Sequence, residues 1–228
     1  MTDYPALADA LIYLSCQGYR PGPALWGLAV KTYGFFLMSL QRLIRDVYQG
    51  DMGEGFIDAT ADLIASQLRR AWNEGMRAND LDPAGDMLPE WEAELQDAIA
   101  DQFPFVDTLY SDIIDAREAE AGTAALLSRA ELWANQYNSV VNQSKITTAR
   151  KGAKLVWVYG DTEHCDTCLR LNGIVAFASE WAELGVRPQS PPNGLLVCGG
   201  WKCQCRLDQT TARRSPNAAV RITAIVGV

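Results

Sequence analysis

KGAKLVWVYGDTEHCDTC, residues 151–168, is where this chain changes character. Residues 154–159 (KLVWVY) are β-branched and aromatic, which suits a strand. Gly160-Asp161 turns the chain toward Cys165-x-x-Cys168. Downstream, Asn172-Gly173 is a turn signal ahead of a second strand over residues 174–178 (IVAFA). Residues 187–194 carry Pro188, Pro191 and Pro192 and read as a loop. Residues 220–228 (VRITAIVGV) alternate weakly, which predicts a last strand. Such an apolar strand must pair, within the molecule or with a partner, to avoid an open edge.

Upstream of residue 151 the pattern is helical. Residues 6–16 form a short apolar helix, stopped by Gly18, Pro21 and Pro23. Residues 25–48 form a stronger one, apolar nearly all round to Leu40 and then striped through Leu43, Ile44 and Val47. Residues 56–79 repeat the period through Ile57, Leu63, Ile64, Leu68, Trp72 and Met76. Pro89 opens a helix to Asp101, its acids placed at the start as the helix dipole prefers. Residues 106–119 and a long helix over 123–149 complete the series. The fold class is therefore mainly α: a helical body over residues 1–150, then a small β-rich zinc-knuckle module with a C-terminal tail over 151–228.

Five of the six cysteines, Cys165, Cys168, Cys198, Cys203 and Cys205, fall within 41 residues; Cys16 stands far away and is dispensable on this reading. A Cys-x-x-Cys turn gives the bite of a tetrahedral zinc ion, and a second group can close the site from a facing loop. Disulfides would need an oxidising compartment, and Met1-Thr2-Asp3-Tyr4-Pro5 has no basic start of a secretory leader. A thioredoxin-like pair would leave Cys198, Cys203 and Cys205 idle. A structural zinc ion is the expectation, with a redox pair or disulfide as the competing reading. Cys165 and Cys168 are the core pair, joined by Cys198 and by one of Cys203 and Cys205, the other remaining a neighbour. His164, the single histidine, is adjacent to Cys165, and adjacent residues seldom converge on one ion; a surface imidazole is its expected role.

Several function classes are excluded. No Walker or dinucleotide glycine motif occurs, and one histidine without a partnered nucleophile makes no hydrolytic triad. Glu90, Glu92, Glu94 and Asp97 lie on a polar helix face and read as solvated. The deaminase zinc signature is missing its upstream H-x-E. No enzyme is expected. No run of 18 uncharged apolar residues appears, so no membrane span is expected. Charge is uneven: residues 1–144 carry 9 basic and 22 acidic side chains, residues 145–228 carry 11 and 6. The basic end can touch phosphate or an acidic partner, so a zinc-bearing nucleic-acid-binding protein with weak DNA contact through that end is the alternative reading.

The order of features resembles a known family. It runs strand, Asp161, Cys165-x-x-Cys168, Leu171-Asn172-Gly173, short strand, prolines 188, 191 and 192, then Cys203-Gln204-Cys205-Arg206-Leu207. This resembles the C-terminal module of tailed-phage head-morphogenesis proteins, the minor head proteins of the Mu F type, over about residues 125–208. That pattern has a histidine three residues before its C-R-C; here Gly200 holds that place, Cys198 stands nearby, and Gln204 sits between the cysteines. The resemblance implies a low-copy virion or procapsid component without enzymatic activity. It would act beside the portal and other head or capsid proteins, in the host cytoplasm during assembly. The aromatic-rich stretch over residues 25–40, with Trp26, Leu28, Tyr33, Phe35, Phe36, Leu37 and Met38, reads first as a central helix wrapped by the others; a docking surface for head association is the alternative.

Overall fold

The computed structural model describes residues 33–160, 164–201 and 204–227. Five helices make the body: α1 (Tyr33–Gln49), α2 (Gly55–Ala78), α3 (Pro89–Ala100), α4 (Pro104–Glu118) and α5 (Ala124–Thr147). Each buries the stripe its period dictates. On α1, Phe36, Leu40, Ile44 and Val47 are fully buried, spaced three or four apart in register. On α2, Ile64, Leu68, Trp72 and Met76 do the same, and α5 faces them with Ala130, Ala134, Tyr137 and Val141. Burial of each large apolar side chain contributes roughly 1.5–3 kcal/mol, and this core holds more than a dozen of them. Prolines open α3 and α4 at the first helical position, where the missing N–H costs nothing.

The α2–α5 crossing is close. A Cβ placed on Gly75 would sit 2.5 Å from Ser144 Cβ and 2.7 Å from the Val141 carbonyl oxygen. Ser144 Oγ donates to the Trp72 carbonyl at 2.7 Å across the same contact.

Beyond α5 the chain builds a three-stranded antiparallel sheet in the order β2-β1-β3. β1 is Lys154–Val158, β2 Val175–Phe177 and β3 Arg206–Gln209. Leu155 pairs with Ala176 on one side and Gln209 on the other; Trp157 faces Leu207. Leu155 and Trp157 alternate inward, and the Trp157 and Trp181 rings meet at 5.8 Å. Short helices surround the sheet: α6 (Asp166–Leu171), α7 (Ala178–Glu183) and α8 (Ala218–Val226). The chain is mainly helical with a small sheet near its C-terminal end.

Side chains cover both sheet edges. On β3, Asn142 Oδ1 accepts the Leu207 N–H at 2.9 Å, and Lys145 Nζ donates to the Leu207 carbonyl at 2.7 Å. On β2, Val175 N–H donates to Ser215 Oγ at 3.0 Å, and Ser215 N–H returns to the Val175 carbonyl at 2.9 Å. A polar seam joins the sheet to the body: Asn79, buried, accepts from Gln209 and donates to Thr148 Oγ1 at 2.7 Å.

One expectation is corrected. Residues 220–226 of the supposed last strand lie in helix α8, because Ala218, Ile222 and Ile225 repeat at helical spacing and pack on the C-terminal core. That packing outweighs the β-branched composition. Phe36 and Leu40 are sealed in the core of the body, as the central-helix reading of residues 25–40 expects, and Met38 of the same stretch is 39% exposed. Residues 6–16, Trp26, Leu28 and Cys16 lie outside the described residues.

Candidate metal centre

The end of β1 delivers the chain to the cysteines. Gly160 follows two residues after the strand, and its missing side chain has a steric reason. A Cβ there would fall 2.5 Å from Gln204 Cβ and 2.6 Å from the Gln204 carbonyl oxygen. The stretch leading into β3 therefore lies directly on residue 160. The Gly160 carbonyl also bonds His164 Nε2 at 2.8 Å.

Cys165 is the N-cap residue of α6, in extended conformation, and Cys168 lies inside the helix and is buried. Three residues apart on a first turn, their side chains share a face. Cys198 arrives from the far loop. Its neighbour Val197 donates its N–H to Thr167 Oγ1 at 3.3 Å, and Thr167 is itself buried between the two cysteines of the pair. The Thr167 hydroxyl thus ties the second segment to the first.

The result is a cluster. The sulfur atoms of Cys165, Cys168 and Cys198 all lie within 4.8 Å of one another. Sulfurs on a tetrahedral zinc ion, each about 2.3 Å from the metal, stand about 3.8 Å apart, so small side-chain adjustments suffice. The donors are all soft sulfurs, which suits zinc or another thiophilic ion and not calcium or magnesium. The four described cysteines of this region form no disulfide among themselves. Burial pushes the Cys165 thiol up, but the backbone N–H groups of Cys168 and Cys198 and their thiols beside it prevail. Its pKa lies below the ordinary thiol value, which favours the thiolate a metal needs.

Cys205 is fully buried but does not belong to that group of three. Its sulfur lies 3.9 Å from His164 Nδ1. His164 is half-buried and not a surface imidazole: its ring leans on Tyr159 with centroids 4.6 Å apart. Cys203 lies outside the described residues. The sequence identified Cys165, Cys168 and Cys198, which the structure brings together. It read Gly160 only as part of a turn and gave no role to Thr167, although both stand inside or beside the motif.

Two acids of α3 are held in contacts with neighbouring helices. Glu92 pairs with Arg69 and accepts from Gln96 at 2.7 Å, and Glu94 accepts from Thr147 Oγ1 at 2.9 Å. Four of the eleven basic residues of the C-terminal region contact acidic side chains or backbone carbonyls within the molecule. Lys145 pairs with Asp208, Arg206 with the same carboxylate, Arg214 with Glu180, and Lys154 with backbone carbonyls. Among the described residues no helix is long and apolar enough to cross a membrane. Comparison with protein-family models, curated proteins and solved structures gives no match for this chain.

Proposed function

We propose that this chain is a minor head protein of a tailed phage, a structural assembly component acting at the portal or procapsid, and that its cysteine cluster holds one structural zinc ion. The observation that supports the metal reading is the convergence of Cys165, Cys168 and Cys198 from two distant segments. The fourth donor comes from the segment before β3, Cys203 or Cys205. A site made wholly of sulfur donors leaves no place for water and serves structure, not hydrolysis. Zinc there would lock α6, the loop through Cys198 and the start of β3 together, a region otherwise short of regular hydrogen bonding.

The assembly reading rests on the order of features. A long helix, a strand, the Cys-x-x-Cys pair, a second strand, a proline loop and a Cys-x-Cys segment follow one another as in the Mu F-type proteins. Lys145, Arg206 and Arg214 are paired with Asp208 and Glu180 inside the molecule, which commits part of the basic charge that a DNA-binding reading would use. The test is co-purification of a tagged chain with portal or procapsid particles from infected cells. Retention on particles at all salt concentrations is expected. Absence from every head intermediate, together with duplex DNA binding that falls steeply with salt, refutes the proposal in favour of the nucleic-acid alternative.

A further inference from the structure

A cleft of about 560 Å³ lies where α5 meets the proline loop and the α3–α4 junction. Its apolar lining includes Trp133, Phe105 and Trp201. Phe105 and Trp201 are 57% and 41% exposed, so two large aromatic rings stand uncovered at one mouth. Trp133 is pinned by its own N–H, which donates to Gln102 Oε1 at 3.0 Å. Trp201 is carried by the turn that begins at Cys198, whose carbonyl accepts the Trp201 N–H at 3.1 Å. The walls are therefore formed before any ligand arrives.

The polar side of the cleft is dominated by Arg187. Its guanidinium donates to Ser190 Oγ at 2.9 Å. Among the described residues no carboxylate lies within 4.0 Å of it, whereas the other arginine of the cleft, Arg129, is already paired with Asp112. Burial is the larger influence on Arg187 and pulls its pKa below the ordinary arginine value; Glu94 opposes this only in part, from a distance. Arg187 is partly buried, and such a guanidinium without an adjacent carboxylate gains from a ligand carboxylate placed on it. Charge also sets the kind of anion. Asp101 lines the same cleft, and residues 1–144 carry 22 acidic against 9 basic side chains. This field repels a polyphosphate and tolerates a single negative charge.

The geometry points to this cleft as a binding site for an organic carboxylate on an aromatic or aliphatic body, its carboxylate on Arg187 and its apolar part between Trp133, Phe105 and Trp201. A peptide C-terminus ending in an apolar residue and a free apolar acid share that chemistry. The inference does not depend on head assembly or on the identity of the metal.

The experiment uses the purified full chain with three probes: N-acetyl-Ala-Leu-Phe, its C-terminal amide, and 4-phenylbutyrate. Binding is followed through the indole N–H signals of Trp133 and Trp201, assigned with Trp133→Phe and Trp201→Phe. The free tripeptide acid is expected to bind at least tenfold more tightly than the amide and to move both signals. Arg187→Met is expected to abolish that preference, and Arg187→Lys to reduce it. If phenylbutyrate matches the tripeptide, the ligand is a free acid; if the tripeptide is tighter, it is a peptide terminus. Equal binding of acid and amide, no shift at 10 mM of any probe, or tighter binding of adenosine monophosphate than of either acid overturns the proposal. Should Arg187→Met fail to fold, the acid-to-amide comparison on the unaltered chain still decides.

Discussion

Replacing Gly75 by alanine sets two effects against each other at the tightest helix crossing. Alanine is the better helix former by about 1 kcal/mol, and Gly75 lies well inside α2, so on propensity alone the variant gains. The new methyl, however, would meet Ser144 Cβ at 2.5 Å and the Val141 carbonyl at 2.7 Å. Carbon atoms pack at about 3.5–4.0 Å, so α2 and α5 must part by roughly 1 Å. One of the obstructing atoms is backbone and has no rotamer to escape into. The movement loosens Trp72 and Met76 against Tyr137 and Val141, and it stretches the Ser144–Trp72 hydrogen bond. Overpacking of this kind costs about 1–3 kcal/mol, and a backbone obstacle places it at the upper end. The net expectation is a loss of about 2 kcal/mol, or about 4–8 °C in melting temperature for a chain of this length. Gly55→Ala is the control: it makes the same chemical change in the same helix, at a position with nothing within 4 Å. Thermal unfolding followed by far-UV circular dichroism measures both. A Gly75→Ala protein as stable as Gly55→Ala would refute the claim that this crossing is limited by close approach.

Gly160→Ala should drive the segment at Gln204 outward and weaken metal retention at least tenfold against a competing chelator, with the helical signal unchanged; unchanged retention would separate residue 160 from the site. Glu92 is held down to about 2 by the hydrogen bonds of Arg69, with Gln96 adding to the effect. Because its folded pKa is depressed, the stabilisation is full above the ordinary value near 4.5 and is lost as pH falls toward 2. The pair is more than a third exposed, so solvent screening leaves about 1 kcal/mol. The stability gap between the unaltered chain and Glu92→Gln should therefore narrow between pH 6 and pH 3, and a constant gap would contradict the assignment. Thr60 is fully buried with its hydroxyl unpartnered, so Thr60→Val should stabilise by about 1 kcal/mol in urea titration; a clear loss of stability would show that the hydroxyl has a partner.

The helical body was legible because its stripes are long and regular. Leu40, Ile44 and Val47 fall on one face whatever the partner helix, and the proline at the start of α3 marks its own boundary. Whether Phe36 packs in a core or waits for a partner is not written in the sequence, for a physical reason. An all-round apolar helix looks the same in sequence whether it is wrapped by neighbours or waiting for a partner. Helix α8 was misread as a strand because Val, Ile and Thr favour strands locally, while the deciding contacts of Ala218 and Ile222 come from residues far back in the chain. The Cys-x-x-Cys pair needs only one turn of local backbone, so its geometry could be read directly. Cys198 arrives on a segment whose contact with the pair, Val197 on the Thr167 hydroxyl, joins residues 30 positions apart and has no periodic signature. The pairing of Cys205 with His164 depends on the β1–β3 register, which spacing alone does not encode.

The most direct test of the account is the metal content of the purified chain by native mass spectrometry, with thiol accessibility measured on the same sample. The account predicts one zinc ion per chain, protection of Cys165, Cys168 and Cys198 from alkylation, and loss of both in Cys165→Ser. A chain without bound metal, whose three clustered thiols react as freely as those of the unfolded protein, would contradict it.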